Sequence, residues 1–270
     1  MPELPEVETV RRQLEPLLAG RRVTEAGSHR SDKFTPAREV TDELLGSMWR
    51  RGKFLLVPLG VDQQRELVVH LGMTGRLAVN GGWPDLDNPY LRAWWRLDDG
   101  TALEYTDIRR FGRIRVVETG DYRSIPTLHN AGPEPFAIDF DAKAFRRLLQ
   151  RSKRPIKTQL LSQRPVAGVG NIYADEALWL AQINPKARRL GLERAGSLLD
   201  AIREVLSVGL GNGGTTLRDY RDAAGNQGSN QHQLKAYGRS SLPCYRCSAS
   251  LKSVVLDGRT TTWCPRCQRR

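Results

Sequence analysis

Cysteine is absent from the first 243 of the 270 residues, and all four cysteines lie in the last 27. This distribution leaves no cysteine for catalysis or for disulfides elsewhere in the chain. Long apolar runs are also absent: no stretch of about 18 apolar residues occurs, and the opening MPELPEVE lacks the basic and apolar regions of a signal peptide. We therefore expect a soluble intracellular protein that does not associate with membranes.

Acidic residues are scarce relative to basic ones. The chain has 42 lysines and arginines against 30 aspartates and glutamates, a formal net charge of +12, and the basic residues are spread along its length. This imbalance favours a polyanionic partner. At 270 residues the chain is long enough for two domains, each with its own apolar core.

The first nine residues, MPELPEVET, concentrate the most reactive chemistry in the sequence. If Met1 is removed, the chain begins with the secondary amine of Pro2, and an α-amino group with a reference pKa of ~8 is partly unprotonated at neutral pH. Attack by a secondary amine on a sugar aldehyde carbon gives an iminium ion, an electron sink for breaking the neighbouring C–O bond. Glu3 can act as general acid if partial burial raises its pKa. The terminus therefore predicts a lyase.

A purely structural interpretation of the same residues stays open. Pro5 suits the first turn of a helix, and Glu6 and Glu8 suit the positive end of its dipole. Apolar residues recur at helical spacing behind them, so the pattern predicts a helix over residues 5–18. The two interpretations are compatible, because a buried helix would hold the amine still.

The chain up to about residue 120 has mainly the pattern of β-strands. Six short segments are rich in β-branched and aromatic residues and lie at 54–59, 66–71, 76–79, 92–97, 102–106 and 113–119. Asp99-Gly100, between two of them, is a hairpin signal. This pattern predicts a β-sandwich or barrel-like first domain.

Three turns between these strands carry basic or large apolar side chains where small polar ones are usual: RRGK before the first strand, HLGMTG and DIRRFG. Lys53 and His70 could be an ordinary solvated lysine and a half-buried histidine. Met73, Arg109 and Phe111 resemble wedges that fill a gap in a base stack, although core packing is an alternative for Met73 and Phe111.

The second half of the chain changes to helical periodicity. Three helices are predicted at 142–153, 172–182 and 197–210. A capping box at Ser197 and Asp200 would start the third helix, and GPEPF at 132–136 has the composition of a linker.

Two segments between and after these helices are candidates for contacts with a ligand. GVGN at 168–171 could be only a turn, but a helix start offers backbone N–H groups to a phosphate, and Asn171 adds a side-chain donor. Residues 211–241 are rich in Gly, Asn, Gln and Ser. They predict a long flexible loop, either a mobile lid or a disordered segment.

The cysteines form two Cys-x2-Cys pairs separated by sixteen residues: Cys244, Cys247, Cys264 and Cys267. This is the spacing of a closed four-thiolate zinc site on a β ribbon, so we predict one structural Zn2+ with no catalytic role. Residues 257–263 would form the tip of the ribbon, with Arg259 directed away from the metal.

Together these segments resemble the bacterial formamidopyrimidine-DNA glycosylase (Fpg/Nei) family over essentially the whole chain. The motifs that carry the resemblance are PELPEVET, RRGKFLL, HLGMTG, DIRRFG, GPEPF, GVGNIYADEAL, AYGR and the terminal zinc ribbon. The resemblance implies an α+β protein with DNA in a cleft between domains. The implied domains are an N-terminal β-sandwich with an N-terminal helix (1–130), a helix-two-turn-helix domain with a flexible lesion loop at about 211–235 (131–235), and a zinc-finger β ribbon (236–270).

The resemblance also implies roles for individual residues. The implied catalytic residues are the Schiff-base nucleophile Pro2, the general acid Glu3, the supporting carboxylate Glu6, the β-elimination lysine Lys53, and Arg259. The implied DNA contacts are the phosphate ligands His70, Asn171 and Arg259, the wedge residues Met73, Arg109 and Phe111, and also Lys53, Tyr90 and Lys157.

Four residues depart from the family pattern. Ile108 replaces the usual proline of the DPRRFG turn, and Tyr90 stands where relatives often carry a DNA-contacting histidine. Ser229 and Asn230 occupy lesion-loop positions where many relatives have aromatic residues. These departures bear on the lesion preference that the resemblance implies.

The implied function is base-excision repair. A monomer would flip oxidised purines, 8-oxoguanine and formamidopyrimidines, out of double-stranded DNA, remove them, and cleave the abasic strand by β,δ-elimination. It would act in the bacterial cytoplasm, at the nucleoid when bound to DNA. The alternatives are a Nei-type glycosylase for oxidised pyrimidines and a non-catalytic zinc-ribbon DNA-binding protein.

Overall fold

The computed structural model describes residues 1–269, so Arg270 of the predicted zinc ribbon lies outside the described residues. The chain divides into two compact units: Met1–His129 with Leu210–Gln231, and Asn130–Gly209 with His232–Arg270. Most of the predicted lesion loop thus packs with the first unit, although it follows the helical segment in sequence. Among residues 1–269, no helix has both the length and the apolar character needed to cross a membrane.

The first unit contains helix α1 (Leu4–Leu18), the short helix α2 (Pro126–His129) and eight strands. The strands are β1 (Val23–Ser28), β2 (Trp49–Arg51), β3 (Phe54–Leu59), β4 (Arg65–His70), β5 (Gly75–Gly81), β6 (Leu91–Leu97), β7 (Thr101–Asp107) and β8 (Arg113–Glu118). The predicted helix and all six predicted strands are confirmed. β1 and β2 escaped prediction because β1 is mostly small or polar and β2 has only three residues.

The eight strands form two antiparallel sheets, in the orders β1-β6-β7-β5 and β2-β3-β4-β8. Leu55 and Val69 of one sheet share a buried cluster with Trp95 and Tyr105 of the other and with Leu14 of α1. Burying a side chain of this size stabilises the fold by roughly 1.5–3 kcal/mol. The predicted sandwich is confirmed, and its core holds α1 in place.

Strand β3 is buried on both faces. Its other face carries Phe54 and Leu56, which pack against Leu128 of α2. Burial on both faces explains why FLLVPL has a continuous apolar run and no alternation of apolar and polar residues. It also fixes the end of the strand that carries Lys53.

The second unit is helical with one two-stranded ribbon. Its elements are α3 (Ala142–Leu149), α4 (Ile156–Leu161), α5 (Asn171–Leu180), α6 (Leu192–Gly211, of which the last two residues belong to the first unit), β9 (Lys252–Leu256) and β10 (Arg259–Trp263). α4 was not predicted, because six residues are too few for a clear helical period. The predicted capping box at Ser197 is wrong: α6 begins at Leu192, and the Ser197 hydroxyl lies inside the helix and donates to the carbonyl of Glu193 at 3.1 Å.

Strands β9 and β10 form a hairpin with a two-residue turn, Asp257-Gly258. Both residues have positive φ, 47° and 70°, as a type I′ turn requires. Leu256 pairs with Arg259 across this turn, and Arg259 is exposed. The ribbon tip predicted from sequence is therefore confirmed, with Arg259 on the strand immediately after it.

Candidate active site and nucleic-acid contacts

At the start of helix α1, the side chains of two glutamates each accept a hydrogen bond from the other residue's backbone N–H. Glu3 is the N-cap residue, its N–H donates to Glu6 Oε2 at 2.7 Å, and the two residues form a capping box. Pro2, Glu3 and Glu6 are all buried. The helix therefore fixes the direction of the chain terminus, as a terminal nucleophile would need.

Glu6 also connects this terminus to the loop at Leu210–Gln231. Its Oε1 accepts a hydrogen bond from Thr215 N at 2.7 Å. Gly214 approaches so closely, with φ of 89°, that a Cβ there would lie 2.8 Å from Glu6 Cγ. The Tyr220 hydroxyl donates to the carbonyl of Glu6 at 3.4 Å. Burial above all, and then the negative charge of Glu6, raise the pKa of Tyr220. The loop thus closes directly on the start of α1.

The same loop has a defined internal structure. Asn230 is 3 % exposed, and its Nδ2 donates to Thr215 Oγ1 at 2.8 Å. Its backbone N–H donates to the carbonyl of Gly214, and Ser229 N donates to the carbonyl of Asn212. The polar residues of this loop therefore form buried hydrogen bonds. The interpretation of the loop as a disordered segment is wrong. Asn230 supports the loop from inside, whereas Ser229 is exposed.

Lys53 lies in the tight hairpin between β2 and β3, next to Gly52 with φ of 56°. It is only 7 % exposed, so the alternative of a solvated strand-end lysine is wrong. The next residue, Phe54, pairs with His70 on β4, and their ring centroids lie 4.7 Å apart. The hairpin thus brings Lys53 and His70 to one end of the second sheet.

His70 is held as a neutral hydrogen-bond donor. Its Nδ1 accepts from Gly72 N at 3.2 Å, so the proton of the neutral ring lies on Nε2. Burial above all, and then the positive charges of Lys53 and Arg113, lower the pKa of His70 to about 4. At neutral pH the ring can therefore donate from Nε2, for instance to a phosphate oxygen.

This low pKa predicts a measurable loss of stability in acid. The His70 pKa is about 4 in the folded protein and 6.5 in the unfolded chain, so the unfolded state binds more protons between these pH values. The free energy of unfolding should therefore fall as the pH is lowered from 6.5 towards 4. Over this pH range, urea denaturation should show that the free energy of unfolding falls by about 2 kcal/mol less in His70→Gln than in the wild type. The partial exposure of the ring makes this difference smaller than the whole pKa shift would give. Equal falls in both proteins would contradict this assignment.

The HLGMTG and DIRRFG turns are packed against each other. Gly72 has φ of 68°, and a Cβ there would lie 2.4 Å from Gly112 N. Asp107 joins the two turns: one carboxylate oxygen accepts from Thr74 Oγ1 at 2.5 Å and the other from Gly112 N at 2.7 Å. Arg109 N in turn donates to Thr74 Oγ1 at 3.0 Å. The side chains of the two turns therefore lie next to each other.

The wedge candidates project from these turns. Phe111 is 51 % exposed, so core packing is wrong for it, and the Arg109 guanidinium lies 4.8 Å from its ring centre. Met73 is partly buried. Ile108 is 54 % exposed and lies in the turn that Asp107 holds by accepting a hydrogen bond from Gly112 N. Tyr90 is also exposed, and its carbonyl accepts from Asp107 N.

In the second unit, Lys157 is fully buried. Its Nζ lies 2.6 Å from Asp175 Oδ1 and donates to the carbonyl of Thr260 at 3.0 Å. Asp175 Oδ2 accepts from Thr262 N at 2.9 Å, and burial raises the Asp175 pKa to about 7 although Lys157 acts in the opposite direction. The pair thus fixes α4 and α5 to β10, directly beside Arg259. With no exposed surface on its side chain, Lys157 acts as a support in this structure, which corrects the expectation of a direct DNA contact.

Asn171 is the first residue of α5, after the GVG turn. Gln163 shapes this turn: its Oε1 accepts from Gly168 N at 2.8 Å, and its Nε2 donates to the carbonyl of Val169. Further along α5, the buried Glu176 accepts from three consecutive backbone N–H groups at 235–237, within 2.9 Å of each. Gln163 thereby supports the turn, and α5 supports the start of the AYGR segment through Glu176.

The four cysteines form a closed cluster. Their sulfur atoms all lie within 4.8 Å of one another, and a tetrahedral zinc site with Zn–S bonds of ~2.3 Å needs sulfur atoms ~3.8 Å apart. Cys244 Sγ also accepts from Trp179 Nε1 at 3.4 Å, a bond that suits a thiolate. The cluster fits one structural zinc ion and leaves no ligand position for catalysis.

Several supporting residues were not selected from sequence: Asp107, Asp175, Glu176, Thr215 and Tyr220. One signal was available, since Asp175 and Glu176 interrupt an otherwise apolar helix, IYADEALWL, and a buried acid needs a partner. Thr215 and Tyr220 gave no such signal, because their contacts join residues more than 200 positions apart.

Family models cover most of the chain. The formamidopyrimidine-DNA glycosylase N-terminal domain matches residues 1–114, and the formamidopyrimidine-DNA glycosylase H2TH domain matches residues 131–221. The zinc finger found in FPG and IleRS matches residues 241–270.

Curated relatives and solved structures agree with these matches. Formamidopyrimidine-DNA glycosylase from Deinococcus radiodurans is 41% identical, covering 99% of this chain and 97% of that protein. The crystal structure of MutM (Fpg) from Thermus thermophilus superposes with a TM-score of 0.89 at 44% identity, over 99% of this chain and 98% of that one. A Lactococcus lactis Fpg mutant bound to DNA containing Fapy-dG superposes with a TM-score of 0.88 at 34% identity, over 100% of both chains. The chain described here belongs to the formamidopyrimidine-DNA glycosylase family.

Proposed function

We propose that this protein is a bifunctional DNA glycosylase and AP lyase that removes oxidised purines from double-stranded DNA in the bacterial cytoplasm. The observation that carries the proposal is the start of α1, where a capping box between Glu3 and Glu6 holds the backbone next to the buried Pro2 and Glu6 also holds the loop through Thr215. A positioned amine and a buried carboxyl group are what base excision through an iminium ion needs.

The reaction begins with the nucleotide flipped out of the duplex. With Met1 removed, the Pro2 nitrogen attacks C1′ while Glu3 delivers a proton, so that the bond from C1′ to the damaged base breaks. The Pro2 nitrogen then gives up its proton, and its lone pair breaks the C1′–O4′ bond as O4′ takes up a proton, which leaves an iminium ion between Pro2 and C1′. Removal of a C2′ proton, with Lys53 assisting, expels the 3′ phosphate, and a second elimination expels the 5′ phosphate.

Other residues bind and distort the DNA. His70, Asn171 and Arg259 contact phosphates, and Lys157 with Asp175 holds the strand that carries Arg259. Met73, Arg109 and Phe111 fill the gap left by the flipped nucleotide, which suits their projection from two joined turns. Tyr90, exposed beside these turns, is a further DNA contact in this proposal.

Oxidised purines are the favoured substrates because of what the relatives bind. Structures similar to this chain contain DNA with Fapy-dG, an abasic site, or carbocyclic 8-oxo-G. The similar curated proteins carry the name formamidopyrimidine-DNA glycosylase, which favours this activity over a Nei-type preference for oxidised pyrimidines.

Borohydride trapping tests the proposal directly. Reduction of the iminium ion should join the protein covalently to abasic-site DNA, with the cross-link mapped to Pro2 by mass spectrometry. Chemical blocking of the terminal amine should abolish trapping, and Pro2→Gly should weaken it, because a primary amine gives an imine that can lose its charge.

The same samples separate the alternatives. Intact mass shows whether Met1 is removed; a chain that retains Met1 and yields no cross-link would favour a non-catalytic DNA-binding protein. Trapping at the wild-type level after the amine is blocked, with the cross-link on Lys53, would refute Pro2 as nucleophile. Faster excision of an oxidised pyrimidine than of formamidopyrimidine or 8-oxoguanine would favour the Nei-type activity.

A further inference from the structure

Residues 142–174 contain eight basic residues and no acidic one. The basic residues are Lys143, Arg146, Arg147, Arg151, Lys153, Arg154, Lys157 and Arg164. Of these, only Lys157 has a place in the site described above. A run of 33 residues without a carboxylate concentrates positive charge on one part of the second unit.

Three of these arginines, although separate in the chain, line one pocket. A cavity of about 600 Å³ is lined by Arg151, Arg154 and Arg164 together with Asn130, Ser152 and Ser162. Arg151 follows α3, Arg154 precedes α4, and Arg164 follows α4. The fold therefore brings the three guanidinium groups to one concave surface, beside hydroxyl and amide donors that also suit phosphate oxygens.

The turn that carries two of these arginines is held in place. Gln159 Nε2 donates to the carbonyl of Arg154 at 2.7 Å and to that of Ser152 at 3.4 Å. Gln159 itself is only 3 % exposed. Because this buried amide holds the turn between α3 and α4, the backbone positions of Arg151 and Arg154 are fixed by the fold.

Most of the charge in this pocket is not neutralised. Arg151 and Arg164 are exposed, and within residues 1–269 neither forms an ion pair. Arg154 lies 3.1 Å from Asp257, but both side chains are about half exposed, at 60% and 48%. An exposed pair of this kind contributes only ~0–1 kcal/mol, so Arg154 can exchange its carboxylate partner for a phosphate at little cost.

The pocket continues towards the predicted phosphate contact at Arg259. A second, smaller cavity of about 200 Å³ shares Arg154 and Ser162 with the first and is also lined by Arg259. Arg259 and the three-arginine pocket therefore lie along one surface of the second unit. A polyanion that contacts Arg259 could extend along it.

We propose that this three-arginine pocket, Arg151, Arg154 and Arg164, binds backbone phosphates of duplex DNA that flank the phosphate contacted by Arg259. The inference rests on the proposed function, because it assigns a longer DNA contact to the same enzyme. A nucleotide or other small phosphorylated ligand fits less well, since the described residues that line the pocket include no aromatic side chain to stack on a base. Backbone phosphates need only charge and hydrogen-bond donors.

Equilibrium binding to undamaged duplexes tests the proposal with Arg151→Ala/Arg164→Ala. Each lost phosphate contact reduces the slope of log K against log salt by ~0.9, so a long duplex should show a reduction of ~1.8. On a short duplex that ends beside the Arg259 contact, the variant should match the wild type. Arg189→Ala/Arg194→Ala is the matched control: both residues are exposed on the same unit, the charge change is identical, and the slope should stay close to wild type.

Other outcomes would overturn the proposal. An unchanged slope on the long duplex, or an equal loss on the short one, would show that the pocket does not contact flanking DNA. Tight competition by a nucleoside diphosphate, with the DNA slope unchanged, would assign the pocket to a small ligand. The proposed function is measured separately by borohydride trapping: absent trapping with a reduced slope refutes the catalytic assignment alone, and normal trapping with an unchanged slope refutes the flanking contact alone.

Discussion

Replacing Glu3 with glutamine is expected to slow base excision by about 10²–10⁴-fold, the usual contribution of a positioned general acid. The amide has nearly the shape of the carboxyl group but carries no proton that it can give to the sugar or the base. Single-turnover excision from DNA containing a formamidopyrimidine measures this step. Cleavage of a preformed abasic site should lose less, because the base has already left.

The structure separates this chemical effect from a loss of folding. The hydrogen bond that Glu6 accepts at the helix start comes from the backbone N–H of Glu3, so it survives the substitution. Glu3→Gln should therefore melt close to wild type. Glu15→Gln is the matched control, since it removes the same charge from the same helix at a carboxylate that, among residues 1–269, pairs with Arg11 alone. Comparable losses of excision in both variants would contradict the role of Glu3.

Much of the first unit could be predicted because its signals are local. In three short segments the local residues determine the structure: the helical period behind Pro5, the apolar strand FLLVPL and the Asp99-Gly100 hairpin. The cysteine spacing was equally informative, because four thiols at Cys-x2-Cys distances have few other uses outside a metal site.

The features that could not be predicted depend on contacts between distant residues. Polar residues in the 211–235 loop predicted flexibility, yet Thr215 and Asn230 are buried. Thr215 N donates to Glu6, more than 200 residues away, and Asn230 donates to Thr215 Oγ1. Lys157 had the appearance of a basic DNA contact, but it is buried inside the unit, where it pairs with Asp175. Charge alone does not show whether a lysine faces solvent or a buried partner.

Removal of zinc should abolish tight binding of lesion DNA while leaving most of the helical structure intact. The ribbon has a small core, in which Leu251 and Ala236 pack around Cys244, Cys264 and Trp179. Segments shorter than about 40 residues seldom fold on so small a core without a metal or disulfides, and structural zinc supplies ~10–16 kcal/mol in comparable fingers. Cys264→Ser removes a fully buried ligand, so we expect no bound zinc by metal analysis and a largely unchanged helical circular-dichroism signal.

The loss of binding should exceed that caused by removing Arg259 alone. The ribbon carries Arg259, and the contacts of Lys157 and Asp175 with β10 depend on the ribbon being folded. Arg259→Ala should therefore remove one phosphate contact, a slope change of ~0.9, whereas Cys264→Ser should remove the ordered surface that surrounds it. Val255→Ser, a polar replacement at an exposed site on β9, is the control and should keep both zinc and DNA binding. If zinc-free protein bound lesion DNA as tightly as the wild type, neither the ribbon nor Arg259 could be part of the interface.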